Sequence, residues 1–294
     1  MPAAGPGLAA GRCDPAADDA SSAGSPMSEL WELRCDHKRG TFIVRTYLPN
    51  FLLPLHVSSS LNRAPSTPKQ GVAPAHPGYS NVEAKLQLSL RAKVFEGLLL
   101  PHGDLWFMYT QRSLWQVWNS RDSAPFRSTD YQPEALYVLR APEWLGKLPA
   151  GWRWRMFNVG IAHQSNGQSD PLSRSWNRVY AGAGLERGDV GLQVRVMRRL
   201  HSGRDDNPDL TRYIGGAEVL ATWFPGLAIA ALTWRTGAPV GRGSLQLDWT
   251  FPVRRSQPLG LRWYAQLFTG YGETLLDYNH RQNSIALGLT LFQF

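Results

Sequence analysis

From Val82 to Val94 polar and apolar residues alternate without a break. Glu83, Lys85, Gln87, Ser89, Arg91 and Lys93 are set between Val82, Ala84, Leu86, Leu88, Leu90, Ala92 and Val94. A period of two places the first set on one face of a β-strand and the second set on the other. The run is longer than the roughly 5 to 6 residues of an ordinary strand and is long enough for a tilted membrane-crossing one of roughly 9 to 11. Alone it fits two architectures: a soluble sandwich with its polar face in water, or a barrel with its apolar face in lipid.

Similar segments recur between turn signals, at 104–117, 131–140, 152–165, 175–185, 189–199, 212–224, 226–236, 243–252, 260–271 and 283–294. With 82–94 they make eleven, and an open strand edge in lipid is untenable, so an even number is required. Segment 51–60 supplies the twelfth. A short strand over Thr41–Tyr47 precedes it, and Pro49 and Pro54 rule out a long central strand or helix there. No stretch approaches the roughly 20 apolar residues of a membrane-spanning helix.

The chain has 294 residues with 12 Trp, 10 Tyr and 11 Phe, a heavy aromatic load that suits a boundary between lipid and water. Trp115, Trp118, Trp152, Trp154, Trp223, Trp234, Trp249 and Trp263 fall near segment ends, as aromatic girdles require. The apolar strand Ile285–Leu291 runs into Phe292 and a final Phe294, which resembles the terminal signal of outer-membrane barrels. The expected fold is therefore all-β, a twelve-stranded antiparallel transmembrane β-barrel over 41–294 with a flexible N-terminal arm over 1–40.

Residues 1–26 are rich in Ala, Gly, Ser, Pro and Asp and lack the apolar core of an export signal. Either a signal has been removed from this sequence, or the true start lies upstream, or the chain is not exported; the first two are favoured. Cys13 and Cys35 both lie in the arm, where one disulfide could form, and no Cys/His cluster points to zinc. The net charge of +8 suits anionic lipid as well as nucleic acid, but no Lys/Arg run favours nucleic acid.

The most specific stretch is 163–178, His-Gln-Ser-Asn-Gly-Gln-Ser-Asp-Pro-Leu-Ser-Arg-Ser-Trp-Asn-Arg. His163 and Ser165 share strand parity with Phe157, Val159 and Ile161, so an apolar face in lipid carries both to the outside of the barrel, at the membrane rim. A serine nucleophile needs a base, and the base needs an orienting group; Asn177 can serve from the next strand of an antiparallel hairpin. Loop 167–173 offers carbonyls, hydroxyls and Asp170, oxygen donors suited to calcium. A bare His-x-Ser is common and such loops are most often plain turns.

The sixteen-residue string as a whole resembles the active-site region of the outer-membrane phospholipase A family. The resemblance runs from about Phe42 to the C-terminus and is densest at Tyr109–Gln116, Ser123–Arg127, 163–180, Arg204–Asp209 and Gly270–Asn279, in that order. It implies a twelve-stranded barrel that hydrolyses phospholipid acyl esters and is activated by calcium-dependent dimerisation. It further implies His163 as base, Ser165 as nucleophile, Asn177 as orienting group, and the N–H groups of Ser165 and Gly167 as oxyanion donors. Calcium ligands are implied at the Ser173 hydroxyl, the Gln168 carbonyl and the carbonyl of Ser123 of the partner subunit, with Asp170 at the nearby acidic position. Gln168 stands where the family usually has Arg, which alters local charge but leaves a carbonyl ligand in place. Gln111 matches a residue that hydrogen-bonds across a homodimer. Residues 204–209 read as an exposed loop. The competing readings are a non-catalytic barrel, such as a pore, and a soluble lectin-like sandwich.

Overall fold

The computed structural model describes residues 24–124, 126–201, 203, 205–236 and 242–291. Cys13, Pro125, Arg204, Phe292 and Phe294 lie outside the described residues. Twelve long strands follow one another: β1 Asn50–Ser58, β2 Val82–Phe95, β3 Gly103–Trp115, β4 Ser128–Arg140, β5 Arg153–Ser165, β6 Ser175–Arg187, β7 Val190–Leu200, β8 Ala217–Trp223, β9 Ile229–Thr236, β10 Gly243–Pro252, β11 Leu261–Gly270 and β12 Gln282–Leu291. Each pairs antiparallel with the next, and β12 pairs with β1, so the sheet closes on itself. The twelve agree with the alternating segments in order and closely in extent.

Two differences are local. The segment expected as a strand from 212 is a short helix at Leu210–Ile214 and becomes β8 only at Ala217. Gly215 and Gly216 separate the two, and Gly215 adopts φ 88° as it ends the helix. The strand expected over Thr41–Tyr47 shrinks to Arg45–Thr46, which pairs with β2.

Burial along β2 is inverted relative to a soluble protein. Glu83, Lys85, Gln87, Ser89, Arg91 and Lys93 are all buried, whereas Leu88 on the opposite face is 47% exposed. The exposed face continues around the wall as Leu52, Phe107, Val159, Ile161, Val196, Leu232, Leu247, Leu267 and Ile285. An apolar outside around a charged inside is a protein whose solvent is lipid, and this rules out the sandwich. No helix among the described residues is long and apolar enough to cross a membrane; the strands do so.

The interior charges are paired, as burial demands. Lys85 Nζ lies 2.6 Å from Glu273 Oε1, which also meets His56 Nε2 at 2.9 Å. Arg127 reaches Glu83 at 2.6 Å and Asp277 at 3.1 Å. Lys93 reaches Glu32 at 2.7 Å and Glu96 at 2.8 Å.

The part of the arm that the structure describes is not free. Ser25 caps the helix α1, Pro26–Leu30, and Glu186 on the inner face of β6 accepts from the Met27 amide at 2.7 Å and from the Ser25 hydroxyl. Met27, Trp31 and Leu33 join Trp106, Met108, Leu136, Met156 and Tyr180 in one apolar cluster inside the barrel. Gly184 makes room for it: a Cβ there would come within 2.4 Å of the Met27 sulfur. The Arg91 guanidinium stands 5.1 Å from the rings of both Trp31 and Trp106. The expectation of a flexible arm over 1–40 is therefore corrected within residues 25–33: Met27, Trp31 and Leu33 are buried in the barrel, with Leu30 half-buried against them. Cys35 is in a disulfide.

The seam between first and last strands is irregular. The β1–β12 register slips between Leu287 and Leu289, around Gly288, where a Cβ would come within 2.2 Å of the Leu52 carbonyl oxygen. Pro54, which has no N–H to give, sits in the same stretch of β1.

Connections differ between the two ends. At one, β6 and β7 are joined by Gly188–Asp189 alone; at the other the connections are longer, as over 59–81 and between Leu200 and Ala217. In outer-membrane barrels the long loops face the cell exterior. The 163–178 stretch lies at that end, and α1 lies at the opposite one.

Candidate active site

β5 rises to Ser165, the chain turns through 166–174, and β6 descends from Ser175. Odd-numbered residues of β5 near the rim point outward: Val159 and Ile161 are 55% and 57% exposed, and His163 is exposed beside them. In the β5–β6 register His163 stands directly opposite Asn177, and Ser165 opposite Ser175. The imidazole Nδ1 and Asn177 Oδ1 are 2.7 Å apart. With Nδ1 donating to the amide oxygen, Nε2 is left as the basic nitrogen. Ser165 lies two residues on in the same outer row, and the described hydrogen bonds of the ring run to Asn177 rather than to Ser165 Oγ.

The loop is held by groups that spacing alone did not single out. Asn166 is buried and bridges the turn: its Nδ2 donates to the Leu172 carbonyl at 2.7 Å, and its Oδ1 accepts from the Arg174 amide at 2.9 Å. Arg174, fully buried, donates through Nη1 to the carbonyls of Pro171 at 2.9 Å and Ser173 at 2.8 Å, and to Gln70 Oε1 at 2.9 Å. Gln70 in turn donates to Asp170 at 2.8 Å. Gln168 Nε2 reaches the Arg127 carbonyl at 3.3 Å. Burial alone would weaken the charge on Arg127, but Asp277 and Glu83 beside it more than compensate and raise its pKa above the ordinary arginine value. Gly167 takes φ 64°, a left-handed conformation that costs glycine nothing.

The 204–209 stretch, expected as an exposed loop, is corrected by the structure at Asp206 and Asn207. Asp206 and Asn207 are buried. Asp206 accepts from the Ser173 hydroxyl at 2.8 Å, and Asn207 Oδ1 from the Ser175 amide at 3.1 Å. This loop therefore braces the far side of 166–174, an arrangement only tertiary contact reveals.

The implied cation ligands fall in two places. Ser173, Gln168 and Asp170 share the 166–174 loop. Ser123 sits in the loop after β3, where its carbonyl accepts from the Trp115 indole at 2.6 Å. Among the described residues no three His, Cys, Asp or Glu side chains converge on one point, so a cation here would draw on carbonyl and hydroxyl oxygens. The loop supplies such hard oxygen donors, and Gln168 Oε1 is buried without a hydrogen-bond partner. Gln111 faces outward on β3, accepting from the Tyr109 hydroxyl at 3.1 Å. It is opposite Tyr131, which is opposite Ser165, so Gln111 and Ser165 share one lateral row on one wall.

The family model for phospholipase A1 matches residues 27–291. The chain belongs to the phospholipase A1 family. A putative phospholipase A1 of Neisseria meningitidis serogroup B is 40% identical over 272 residues, covering 90% of this chain and 69% of that protein. The phospholipase A1 of Escherichia coli K12 is 37% identical over 209 residues, 71% of this chain and 69% of its own. Among solved structures, the Salmonella typhi outer membrane phospholipase, a dimer with bound calcium, superposes with a TM-score of 0.76 at 31% identity, covering 91% of this chain and 97% of that one. Phospholipases A1 are carboxylic ester hydrolases, and the inverted barrel is that of an outer-membrane member of the family.

Proposed function

We propose that this phospholipase A1 hydrolyses acyl esters of phospholipids and lysophospholipids from the outer face of its barrel, in a calcium-dependent homodimer. The observation that carries the reading is the 2.7 Å contact of His163 with Asn177 on a lipid-facing wall. For a channel a histidine fixed there has no use. For an enzyme whose substrate is the surrounding lipid it is the natural position. The paired interior charges and the buried α1 segment count further against a pore.

Ser165 Oγ gives its proton to His163 Nε2 as it attacks the ester carbonyl carbon. Asn177 holds the ring so that Nε2 faces the serine, without the charge an aspartate would add. The amides of Ser165 and Gly167 donate to the oxyanion as the tetrahedral carbon forms. Collapse expels the alcohol oxygen, which takes the proton from His163, and a water activated by the same ring then frees the fatty acid. Ser173 Oγ, the Gln168 carbonyl, Asp170 and Ser123 of the partner subunit would hold calcium, which when bound supplies positive charge and a polarised water beside the oxyanion. Gln111, in the Ser165 row, would lie in the contact between protomers, where a polar pair inside an apolar interface fixes how the two walls meet.

The test is fatty-acid release from phosphatidylethanolamine micelles by detergent-refolded protein, in calcium or in EDTA, for the wild type and Ser165→Ala. Release that needs calcium and vanishes in the variant supports the reading. A folded, calcium-loaded dimer that releases nothing overturns it in favour of a non-catalytic barrel.

A further inference from the structure

The outward row of β7 reads Val190, Leu192, Val194, Val196, Arg198 and Leu200. It is apolar except for Arg198, which is exposed between Val196 and Leu200, themselves 58% and 43% exposed. The other arginines of this strand are engaged. Arg199 reaches Asp205 at 2.6 Å, and Arg195 donates to the Tyr47 hydroxyl at 2.7 Å. Arg198 has no hydrogen-bond or ion-pair partner among the described residues.

Its place in the register is informative. Leu200 pairs with Asn177, and Asn177 with His163; one row along, Arg198 pairs with Val179, and Val179 with Ile161. Arg198 is thus the diagonal neighbour of Asn177 on the same outer surface. Its Cα lies about 8 Å from that of Asn177 and about 12 Å from that of His163, given the usual strand spacing and rise. On its other side β7 is paired only as far as Val196, opposite Ala217. Arg198 therefore stands at the rim of the wall, where lipid head groups lie and an arginine costs far less than in hydrocarbon.

We propose that Arg198 binds a lipid phosphate beside the catalytic residues, a step that rests on Ser165 being the nucleophile. Its guanidinium offers paired N–H donors that match two phosphate oxygens. A phospholipid carries its phosphate one glycerol unit from its acyl esters, so a phosphate held at Arg198 places those esters along the outer face that bears His163 and Ser165. The phosphate belongs either to the substrate or to a neighbouring lipid that walls the site.

Wild type, Arg198→Gln and Arg198→Lys are compared on a phosphatidylglycerol and on a neutral monoacylglycerol of the same chain length, and for thermal stabilisation by a diether phosphatidylglycerol, which has no ester to cleave. If the substrate's own phosphate is held, Arg198→Gln raises KM for the phospholipid roughly tenfold, as loss of a charge-assisted contact should. Its kcat and its rate on the monoacylglycerol stay within about twofold of wild type, and Arg198→Lys recovers part of the loss. If a neighbouring lipid is held, the preference between the two esters is unchanged, but the diether lipid stabilises wild type more than Arg198→Gln. Unchanged KM together with equal stabilisation of wild type and Arg198→Gln overturns the proposal, as does an equal loss on both esters when the diether lipid stabilises the two proteins equally. Should wild type cleave neither ester, the hydrolase reading fails, while the diether measurement still decides whether Arg198 binds phosphate.

Discussion

A Cβ on Gly167 would stand 3.0 Å from Cε2 of the Tyr131 ring. Tyr131 lies opposite Ser165 on β4, so this ring presses on the turn that carries the proposed oxyanion amide. Gly167→Ala combines that contact with a left-handed backbone, for which a non-glycine residue costs about 1–2 kcal/mol. The expected result is a loss of turnover on the order of 100-fold with the barrel intact, because an oxyanion donor is displaced. Fatty-acid release alongside heat-modifiable gel mobility checks both. Full activity in Gly167→Ala would remove the Gly167 amide from the mechanism.

The proposed orienting role of Asn177, which stands 2.7 Å from the His163 ring, separates two substitutions. Asn177→Ala should lower kcat by about tenfold to 100-fold, as the ring loses its anchor. Asn177→Asp should keep most of the wild-type rate, since a carboxylate oxygen accepts from Nδ1 as the amide oxygen does. Fatty-acid release at saturating substrate compares the two variants with wild type. Equal losses in the two variants would show that residue 177 does not orient the ring.

Asn166 touches no substrate in this scheme, yet it closes the turn from both ends. Asn166→Ala strands the Arg174 amide and the Leu172 carbonyl, groups that cost about 1–3 kcal/mol when buried unpaired. The variant is expected to lose calcium-dependent activity while its strands persist, seen as faster proteolysis within 166–174 and normal β-sheet circular dichroism. Wild-type protease resistance there would contradict the bracing role.

Acid should weaken the barrel through Glu273, in the loop between β11 and β12. Burial raises its pKa, but Lys85 and His56 outweigh burial and hold the carboxyl well below the usual carboxylate range. A group depressed on folding stabilises above its unfolded pKa, and that contribution fades as pH falls toward the folded value. Urea midpoints of refolded protein should therefore fall from about pH 5 downward, and Glu273→Gln should show a shallower fall from a lower starting point. Equal slopes would mean that the cluster does not report on folding.

The barrel was legible because lipid imposes a simple code. Every spanning strand must hide its polar half, so Glu83 to Lys93 announce the inside as clearly as Leu88 announces the outside. The His163 and Asn177 pairing was likewise accessible, since two adjacent strands joined by a polar turn fix their register. The braces were not. Asp206 and Asn207 sit in what reads as ordinary turn material, and only the closed ring brings that turn beside Ser173. Met27, Leu30 and Trp31 stand at helical spacing, but one turn in a polar arm is too short for its period to mark a buried face.

The β1–β12 seam has a consequence for biogenesis. Residues 50–58 leave the ribosome long before 282–291, yet the two strands pair with each other to close the ring. Until the final strand arrives, β1 and the newest strand both expose unsatisfied backbone, and no partial ring is viable in a bilayer. A nascent chain must therefore reach the membrane with 282–291 already made, and a chain that stops before Gln282 should be lost to degradation rather than tolerated as a smaller barrel.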